Sequence, residues 1–214
     1  MNEDRILGSL LGLAVGDALG TTVEFQARDS FPPVTDMVGG GVFGLAPGQW
    51  TDDTSMALCI AASLVETGAY DPRDQLARFV RWYRDGYLSS TGRCFDIGNQ
   101  TRAALEEFEA TGEPYREAIG GMSAGNGSLM RLAPVAMAFC DDPDAAGRFS
   151  ADSSRTTHPA VECVEACGAY GRLIAAAIGG ASRTELYVLA ADLAEQVTNP
   201  GLATILRGSY RVKE

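Results

Sequence analysis

The sequence is poor in the residues on which thiolate and imidazole metal sites depend. Only one of its 214 residues is a histidine, His158, and its five cysteines contain no C-x-x-C pair. A zinc site is therefore not expected. Cysteines at irregular spacing are typical of small buried apolar residues, and reduced thiols indicate a cytoplasmic protein.

Positive charge and long apolar runs are also scarce. The chain has 17 Lys and Arg residues against 28 Asp and Glu residues, a net charge of −11. This balance argues against nucleic acid and membrane partners. The N-terminus lacks the features of a signal peptide, and no apolar run approaches the roughly 20 residues of a membrane span. An anionic small ligand would need a metal ion or a group of backbone N–H donors.

A sheet pattern is absent as well, whereas apolar residues recur at spacings of three and four through most of the chain. We expect one all-α domain over residues 1–214, large enough for a core. Gly8, Gly12 and Gly16 lie four apart and predict a buried first helix that packs closely against another. The pattern predicts helices over residues 6–15, 58–65, 72–83, 97–108, 129–139 (with a kink at Pro134), 158–178 and 183–197.

The segment Thr51-Asp52-Asp53-Thr54 carries the strongest chemical signal. It follows a Pro-Gly turn and precedes an apolar helical run. Carboxylate and hydroxyl oxygens are hard ligands that suit Mg²⁺ or Mn²⁺. The alternative is a helix N-cap, in which one Asp or Thr accepts from the first free N–H groups. Two acids and two hydroxyls exceed what a cap needs, so the pattern favours a metal site.

A second signal is the small-residue segment from Ser123 to Ser128, which precedes a predicted helix. Free N–H groups in such a turn can hold a phosphate, and Arg131 adds positive charge one turn further on. The alternative is a plain glycine-rich connection with Ser128 as the cap. His158 could bond a ribose hydroxyl or simply cap its helix.

Three further acids have both functional and structural interpretations. Asp17 and Glu24 flank a strongly apolar helix, where a buried acid needs a partner or a metal. Asp17 could instead bond neighbouring backbone, and Glu24 could be solvated. Asp96 lies before a predicted helix, where an N-cap role explains it well.

Taken in order, these segments resemble the ADP-ribosylglycohydrolase family, which includes the dinitrogenase reductase-activating glycohydrolases. The resemblance spans nearly the whole chain and implies a compact multi-helix, all-α fold. The matching pieces are Gly-Asp-Ala-Leu-Gly (16–20), Glu24, Pro-Gly-Gln-Trp-Thr-Asp-Asp-Thr (47–54), Asp-Ile-Gly (96–98), Gly-Asn-Gly-Ser-Leu-Met-Arg (125–131) and Thr-His-Pro (157–159).

The resemblance also implies a function. The family hydrolyses the bond between ADP-ribose and an arginine, serine or related side chain of a protein, with two Mg²⁺ or Mn²⁺ ions in a cleft. By this resemblance Thr51, Asp52 and Asp53 bind metal, and Glu24 and Asp96 are catalytic. The expected ligand-binding residues, around the diphosphate, the distal ribose and the adenosine, are Ser123, Gly125, Asn126, Gly127, Ser128, Arg131 and His158.

The chain departs from the family pattern at three places. Thr22 stands where the family usually has proline, and Ala124 where some members have an aromatic residue. The family's second metal motif, Asp-x-Asp-Thr after the Thr-His-Pro helix, has no counterpart, since Asp192 is the only aspartate beyond His158. We therefore expect a C-terminally truncated form of the fold, exposed apolar surface, self-association, and weak or no hydrolase activity of this chain alone.

The sequence leaves two other functions open. One is a non-catalytic relative that binds ADP-ribose or serves structurally, as crystallin-like members do. The missing second motif favours it, whereas the retained acids favour the hydrolase. The other is a divalent-metal phosphohydrolase, which would leave the Thr-His-Pro segment unexplained.

Overall fold

The computed structural model describes residues 3–117 and 124–212. Within these ranges it contains nine α-helices and no strand, which confirms the all-α fold class. The helices are α1 (Glu3–Gly20), α2 (Asp52–Thr67), α3 (Pro72–Asp85), α4 (Asn99–Thr111), α5 (Ala133–Ala138), α6 (Pro143–Arg155), α7 (Val161–Gly179), α8 (Arg183–Ala194) and α9 (Pro200–Leu206).

Several helices begin at caps that are visible in the sequence. The Asp71 carboxylate accepts from the backbone N–H groups of Arg73 and Asp74, and Pro72 takes the first turn of α3. Ser182 and Glu185 form a reciprocal capping box at the start of α8. These interactions satisfy N–H groups that a helix cannot satisfy itself, so they fix where α3 and α8 start.

The core lies between α2, α3, α4 and α5. Met56, Phe79, Trp82, Leu105 and Val135 are among its apolar members, and all are buried. Burial of side chains of this size stabilises a fold by roughly 1.5–3 kcal/mol each. This core fixes the N-terminus of α2, and with it the Thr-Asp-Asp-Thr segment, next to the start of α4.

Helices α6 and α7 pack very closely because glycine and serine line their contact. A Cβ atom added at Gly171 of α7 would lie 2.2 Å from the Oγ atom of Ser150 in α6. Only glycine fits this position. The close packing holds the segment that follows α6, which contains His158, against the rest of the molecule.

The structure corrects several predicted helix limits. Residues 127–131 form a turn, and Pro134 belongs to the first turn of α5 rather than to a kink. His158 precedes α7, which begins at Val161, instead of opening it. Helices α6 and α9 were not predicted, although each begins with a capping residue and a proline, Asp142-Pro143 and Asn199-Pro200. Their buried faces consist largely of small residues, so apolar periodicity did not reveal them.

The expectation of a buried first helix was wrong. Ala18 is the only buried residue of α1, while Leu7, Leu11 and Val15 are 57%, 61% and 43% exposed. Added Cβ atoms at Gly8, Gly12 and Gly16 would meet nothing within 4 Å. In the described part of the chain, no other element covers this side of the helix.

By length and composition, the segment Glu3–Val23 could also cross a membrane, which the sequence reading did not anticipate. Its contacts tie it to the helical fold instead. The Arg5 guanidinium donates to the carbonyl of Ala177 in α7 (2.7 Å), and the Asp17 carboxylate binds the start of α2. A polar anchor at each end marks α1 as part of this domain.

Candidate functional site

Four carboxylates and the glycine-rich loop meet in one cleft of about 420 Å³. The cleft lies between the start of α2, the start of α4 and the segments that precede α5 and α7. The four carboxylates belong to Glu24, Asp52, Asp53 and Asp96. The lining residues of the cleft are Glu24, Asp52, Asp53, Asp96, Gly98, Asn99, Gln100, Thr101, Ala124, Gly125, Asn126, Gly127, Met130 and His158.

The start of α2 is capped by an aspartate from another helix. The Asp17 carboxylate of α1 accepts from the backbone N–H of Thr51 (3.0 Å) and of Thr54 (3.1 Å). It also accepts from both hydroxyls, at 2.9 Å from Thr51 and 2.6 Å from Thr54. Because Asp17 performs the capping, the side chains of Asp52 and Asp53 remain available to the cleft.

The cleft acids are crowded and partly desolvated. Burial is the largest cause of the raised pKa of Asp52, and the charges of Asp96 and Asp53 raise it further. Burial, with Asp17 and Glu24 nearby, raises the pKa of Asp53 to about 6. Burial and the charge of Glu24 also raise the pKa of Asp96, while a hydrogen bond from Asp52 opposes that rise. The mutual repulsion of these carboxylates indicates a site that favours added positive charge.

Asp96 is not the N-cap of α4, because α4 begins at Asn99 with Gly98 as its capping residue. Asp96 has a φ angle of 57°, in the left-handed region that non-glycine residues rarely adopt. Such strain costs about 1–3 kcal/mol and is concentrated at functional sites. Glu24, whose pKa is also raised mainly by burial, accepts a 3.4 Å bond from the hydroxyl of Thr21.

The cleft fits a hard divalent cation in chemistry but offers few ligands to any single ion. Four of its side chains are carboxylates, the ligands that Mg²⁺ and Mn²⁺ prefer. Within the described ranges, no group of three or more His, Cys, Asp or Glu side chains is arranged to hold one ion. Thr51 is buried, and its hydroxyl donates to Asp17 rather than lining the cleft. Its role as a metal ligand stays a prediction.

The glycine-rich loop lines the same cleft. The Asn126 carbonyl accepts from the N–H groups of Leu129 and Met130, at 2.8 and 3.0 Å. The Gly125 N–H donates to the Cys163 sulfur. For the N–H groups of Asn126 and Gly127, the described ranges contain no acceptor. These two groups are available to an anion. Ser123 lies outside the described residues.

Three predicted ligand residues lie deeper than expected. Arg131 is fully buried, so its guanidinium does not reach the cleft. Ser128 is also buried, and its hydroxyl bonds that of Ser154 at 2.8 Å. His158 is only 4% exposed but still lines the cleft, with its ring edge against Gly125 and Gly127.

Sequence reasoning missed some residues that shape the site. Asp17 was weighed as a buried acid, but no sequence signal indicates that it caps a helix 34 residues away. Thr101, Asn99 and Met130 line the cleft without being predicted to do so. Their positions, just after the Asp-Ile-Gly segment and the Gly-Asn-Gly segment, are the signals that could have identified them.

Comparison with known proteins agrees with this geometry. The family model for ADP-ribosylglycohydrolase matches residues 1–212. An ADP-ribosylarginine hydrolase, Tri1, from Pseudomonas putida (strain GB-1) is 48% identical over 182 residues, which cover 85% of this chain and 49% of that protein. The ADP-ribosyl-[dinitrogen reductase] glycohydrolase of Rhodospirillum rubrum is 37% identical over 185 residues, 83% of this chain and 59% of that protein.

A solved structure gives the same result at the level of the fold. A chain of an ADP-ribosylglycohydrolase-related protein complex superposes with a TM-score of 0.86 at 42% identity. The match covers 99% of this chain and 69% of that one. The chain spans about half the length of the Tri1 proteins that it matches. On this sequence and structural similarity, the chain belongs to the ADP-ribosylglycohydrolase family.

Proposed function

We propose that this chain provides the ADP-ribose-binding cleft and the first metal-binding segment of a hydrolase of the ADP-ribosylglycohydrolase type. The observation that carries the proposal is the convergence of four carboxylates and a loop with free N–H groups in one cleft. The carboxylates suit a cation and a developing positive charge, and the loop suits a diphosphate. ADP-ribose joined to a side chain presents both kinds of group.

Asp52 and Asp53 are the residues that would hold Mg²⁺ or Mn²⁺, with Thr51 supporting them. A bound ion would offset the diphosphate charge and polarise water. The raised pKa values of these acids support a cation here, because a divalent ion relieves the repulsion that favours their protonated forms. The family resemblance implies a pair of ions, and this chain supplies one acid pair toward it.

The remaining residues supply binding and proton transfer. As the bond from the anomeric carbon to the acceptor nitrogen breaks, positive charge develops on the ribose, and the carboxylates of Glu24 and Asp96 stabilise it. A carboxylate among them accepts a proton from the attacking water, whose hydroxyl joins the carbon. A proton then returns to the departing nitrogen, so the products are ADP-ribose and the free side chain.

Arginine is the acceptor that we propose for the complete site. Two relatives that match most of this chain, from Pseudomonas putida and Serratia proteamaculans, carry the name ADP-ribosylarginine hydrolase. The substrate is then an ADP-ribosylated protein.

Calorimetry of the purified chain with ADP-ribose tests the binding site. With Mg²⁺ present, the Asp52→Asn, Asp53→Asn double variant should bind at least about tenfold more weakly than the wild type. A matched control, Asp141→Asn with Asp192→Asn, removes two exposed carboxylates outside the cleft and should bind normally. With EDTA the deficit should vanish, since acids without an ion only repel the diphosphate. A metal-independent deficit would contradict the metal assignment.

Hydrolysis assays test the catalytic part. We expect weak or no release of ADP-ribose from ADP-ribosyl-arginine or ADP-ribosyl-serine by this chain alone, because two carboxylates hold Mg²⁺ weakly. Robust turnover that the double variant abolishes would show that the first acid pair suffices. ADP-ribose binding that is equally tight with Mg²⁺ and with EDTA, without turnover, would instead favour the second candidate, a non-catalytic ADP-ribose-binding relative, which the single acid pair already supports.

A further inference from the structure

The Arg131 guanidinium is buried directly behind the cleft. The side chain is fully buried, and its guanidinium carbon lies 4.6 Å from the centre of the Phe79 ring. Within the described ranges no carboxylate forms an ion pair with it. Its Nη2 atom donates to the Ser153 carbonyl (3.2 Å), the Thr156 hydroxyl (3.1 Å) and the Thr157 hydroxyl (2.8 Å).

The hydrogen bond from Arg131 determines how the Thr157 hydroxyl bonds to His158. A guanidinium only donates hydrogen bonds, so the Thr157 oxygen must accept from it. The same oxygen lies 2.8 Å from Nδ1 of His158. If Nδ1 carried a hydrogen, the oxygen would accept from both sides. Its own hydrogen would then have no acceptor in the described part of the chain, and a buried unsatisfied donor is costly. The hydroxyl therefore donates to Nδ1.

This donation determines which ring nitrogen of His158 carries the hydrogen. A neutral imidazole that accepts at Nδ1 carries its hydrogen on Nε2. Burial, together with the positive charges of Arg131 and Arg116, lowers the pKa of His158 to about 4, so the ring is neutral at physiological pH. A Cβ atom added at Gly127 or Gly125 would lie 3.0 or 3.3 Å from Nε2, which places this atom at the glycine-rich wall of the cleft. In the described ranges Nε2 has no hydrogen-bond acceptor.

We propose that Arg131 and Thr157 are positioning residues, which hold His158 in the tautomer with its hydrogen on Nε2 and so present one neutral N–H donor to the ligand. The identity of that ligand, ADP-ribose, rests on the proposed function. A neutral donor recognises a lone pair on an oxygen or ring nitrogen without adding a charge that must be desolvated. Arg131 thus acts on the ligand through His158, and this indirect role accounts for the burial of Arg131.

Nuclear magnetic resonance tests the tautomer without any ligand. Because His158 is the only histidine, a long-range ¹H–¹⁵N spectrum of the labelled chain contains one imidazole pattern. We expect a protonated Nε2 and an unprotonated Nδ1 near neutral pH. A hydrogen on Nδ1, or a mixture of both tautomers, would overturn the proposal. The wild type alone decides this point, whether or not the variants fold.

Two pairs of variants then test the cause. Thr157→Val removes the hydroxyl at nearly constant shape, and Thr157→Ser keeps it. We expect mixed tautomers in the valine variant and the wild-type pattern in the serine variant. Arg131→Met frees the Thr157 oxygen to accept from Nδ1, so mixed tautomers are expected there too, together with a raised pKa of His158. A pure Nε2–H tautomer in a folded Thr157→Val variant would show that Thr157 is not the cause.

ADP-ribose affinity separates this inference from the proposed function. If the wild type binds ADP-ribose, Thr157→Val should bind about three- to tenfold more weakly, and Thr157→Ser should bind normally. Equal affinity of the wild type and both variants would overturn the inference that His158 presents its Nε2–H donor to the ligand. If the wild type does not bind ADP-ribose, the proposed function fails, and presentation to that ligand fails with it. The spectra still decide the tautomer.

Discussion

At the scale of the residue, Asp17 and Asp53 carry the same functional group but serve opposite purposes. Asp17 accepts four hydrogen bonds from Thr51 and Thr54, so its charge is fully used inside the fold. Asp53 lies two residues beyond Thr51 and faces other acids, with its pKa raised to about 6. Hydrogen bonds thus compensate the charge of Asp17, whereas the charge of Asp53 lies among other acids. This distribution of charge is expected of a cation-binding site.

A substitution in the glycine-rich loop tests the diphosphate position. Asn126→Asp places a carboxylate beside the free N–H groups of residues 126 and 127, and we expect about tenfold weaker ADP-ribose binding through charge repulsion. Asn126→Ser keeps the side chain neutral and should bind normally. The measurement is calorimetry at constant Mg²⁺. Unchanged affinity of the aspartate variant would show that the diphosphate does not bind at this loop.

At the scale of the element, the cap supplied to α2 by α1 is the contact on which the site geometry depends. Asp17→Ala removes four hydrogen bonds at once, and we expect a loss of about 2–4 kcal/mol in the free energy of unfolding. The measurement is urea unfolding followed by tryptophan fluorescence. Asp4→Ala, at the exposed start of the same helix, should change stability by less than about 0.5 kcal/mol. Equal effects of the two substitutions would refute the capping role.

Element identity could be predicted where local signals are strong. Asp71-Pro72 marks the start of α3, and the apolar spacing of Leu76 and Phe79 shows its buried face. The same capping signal occurs at Asp142-Pro143, but the buried face of α6 is made of alanine, glycine and serine. Close approach to α7 buries these small side chains, so the partner helix, rather than the sequence of α6, makes that face part of the interior.

At the scale of the whole molecule, the acid cluster predicts how stability depends on pH and metal. Raised pKa values mean that the folded state favours protonated acids, so this stabilisation is complete at low pH and is lost as pH rises. For Asp53 the loss falls between its ordinary value of 3.8 and about 6. The upward pKa shifts of Asp52 and Asp96 extend it to higher pH.

We therefore expect the metal-free chain to melt at a lower temperature at about pH 8.5 than at about pH 6.5. Added Mn²⁺ should raise the melting temperature more at the higher pH, because it binds the deprotonated acids. Asp52→Asn should flatten both dependences. Below about pH 6.5 the buried neutral His158 opposes the trend, since its lowered pKa makes stability fall as pH falls toward about 4. A metal effect that is independent of pH would refute the cation site.

The exposed apolar side of α1 predicts self-association. Leu7 and Leu11 are both more than half exposed and lie one helical turn apart. We expect the sedimentation coefficient of the chain to rise with concentration, and Leu7→Gln with Leu11→Gln to suppress that rise. Val65→Gln changes an apolar residue of α2 that is 83% exposed and is the matched control. A concentration-independent coefficient for the wild type would contradict the prediction.

The sequence by itself determined the helical class, most of the helices and the adjacent acids Asp52 and Asp53 as a chemical signal. Periodicity, capping and turn chemistry act within a few residues, so they can be read along the chain. Only the tertiary structure decided that Asp17 caps α2, that Arg131 is buried and that His158 presents Nε2. These outcomes depend on desolvation and on contacts between remote segments, such as the 34 residues that separate Asp17 from Thr51.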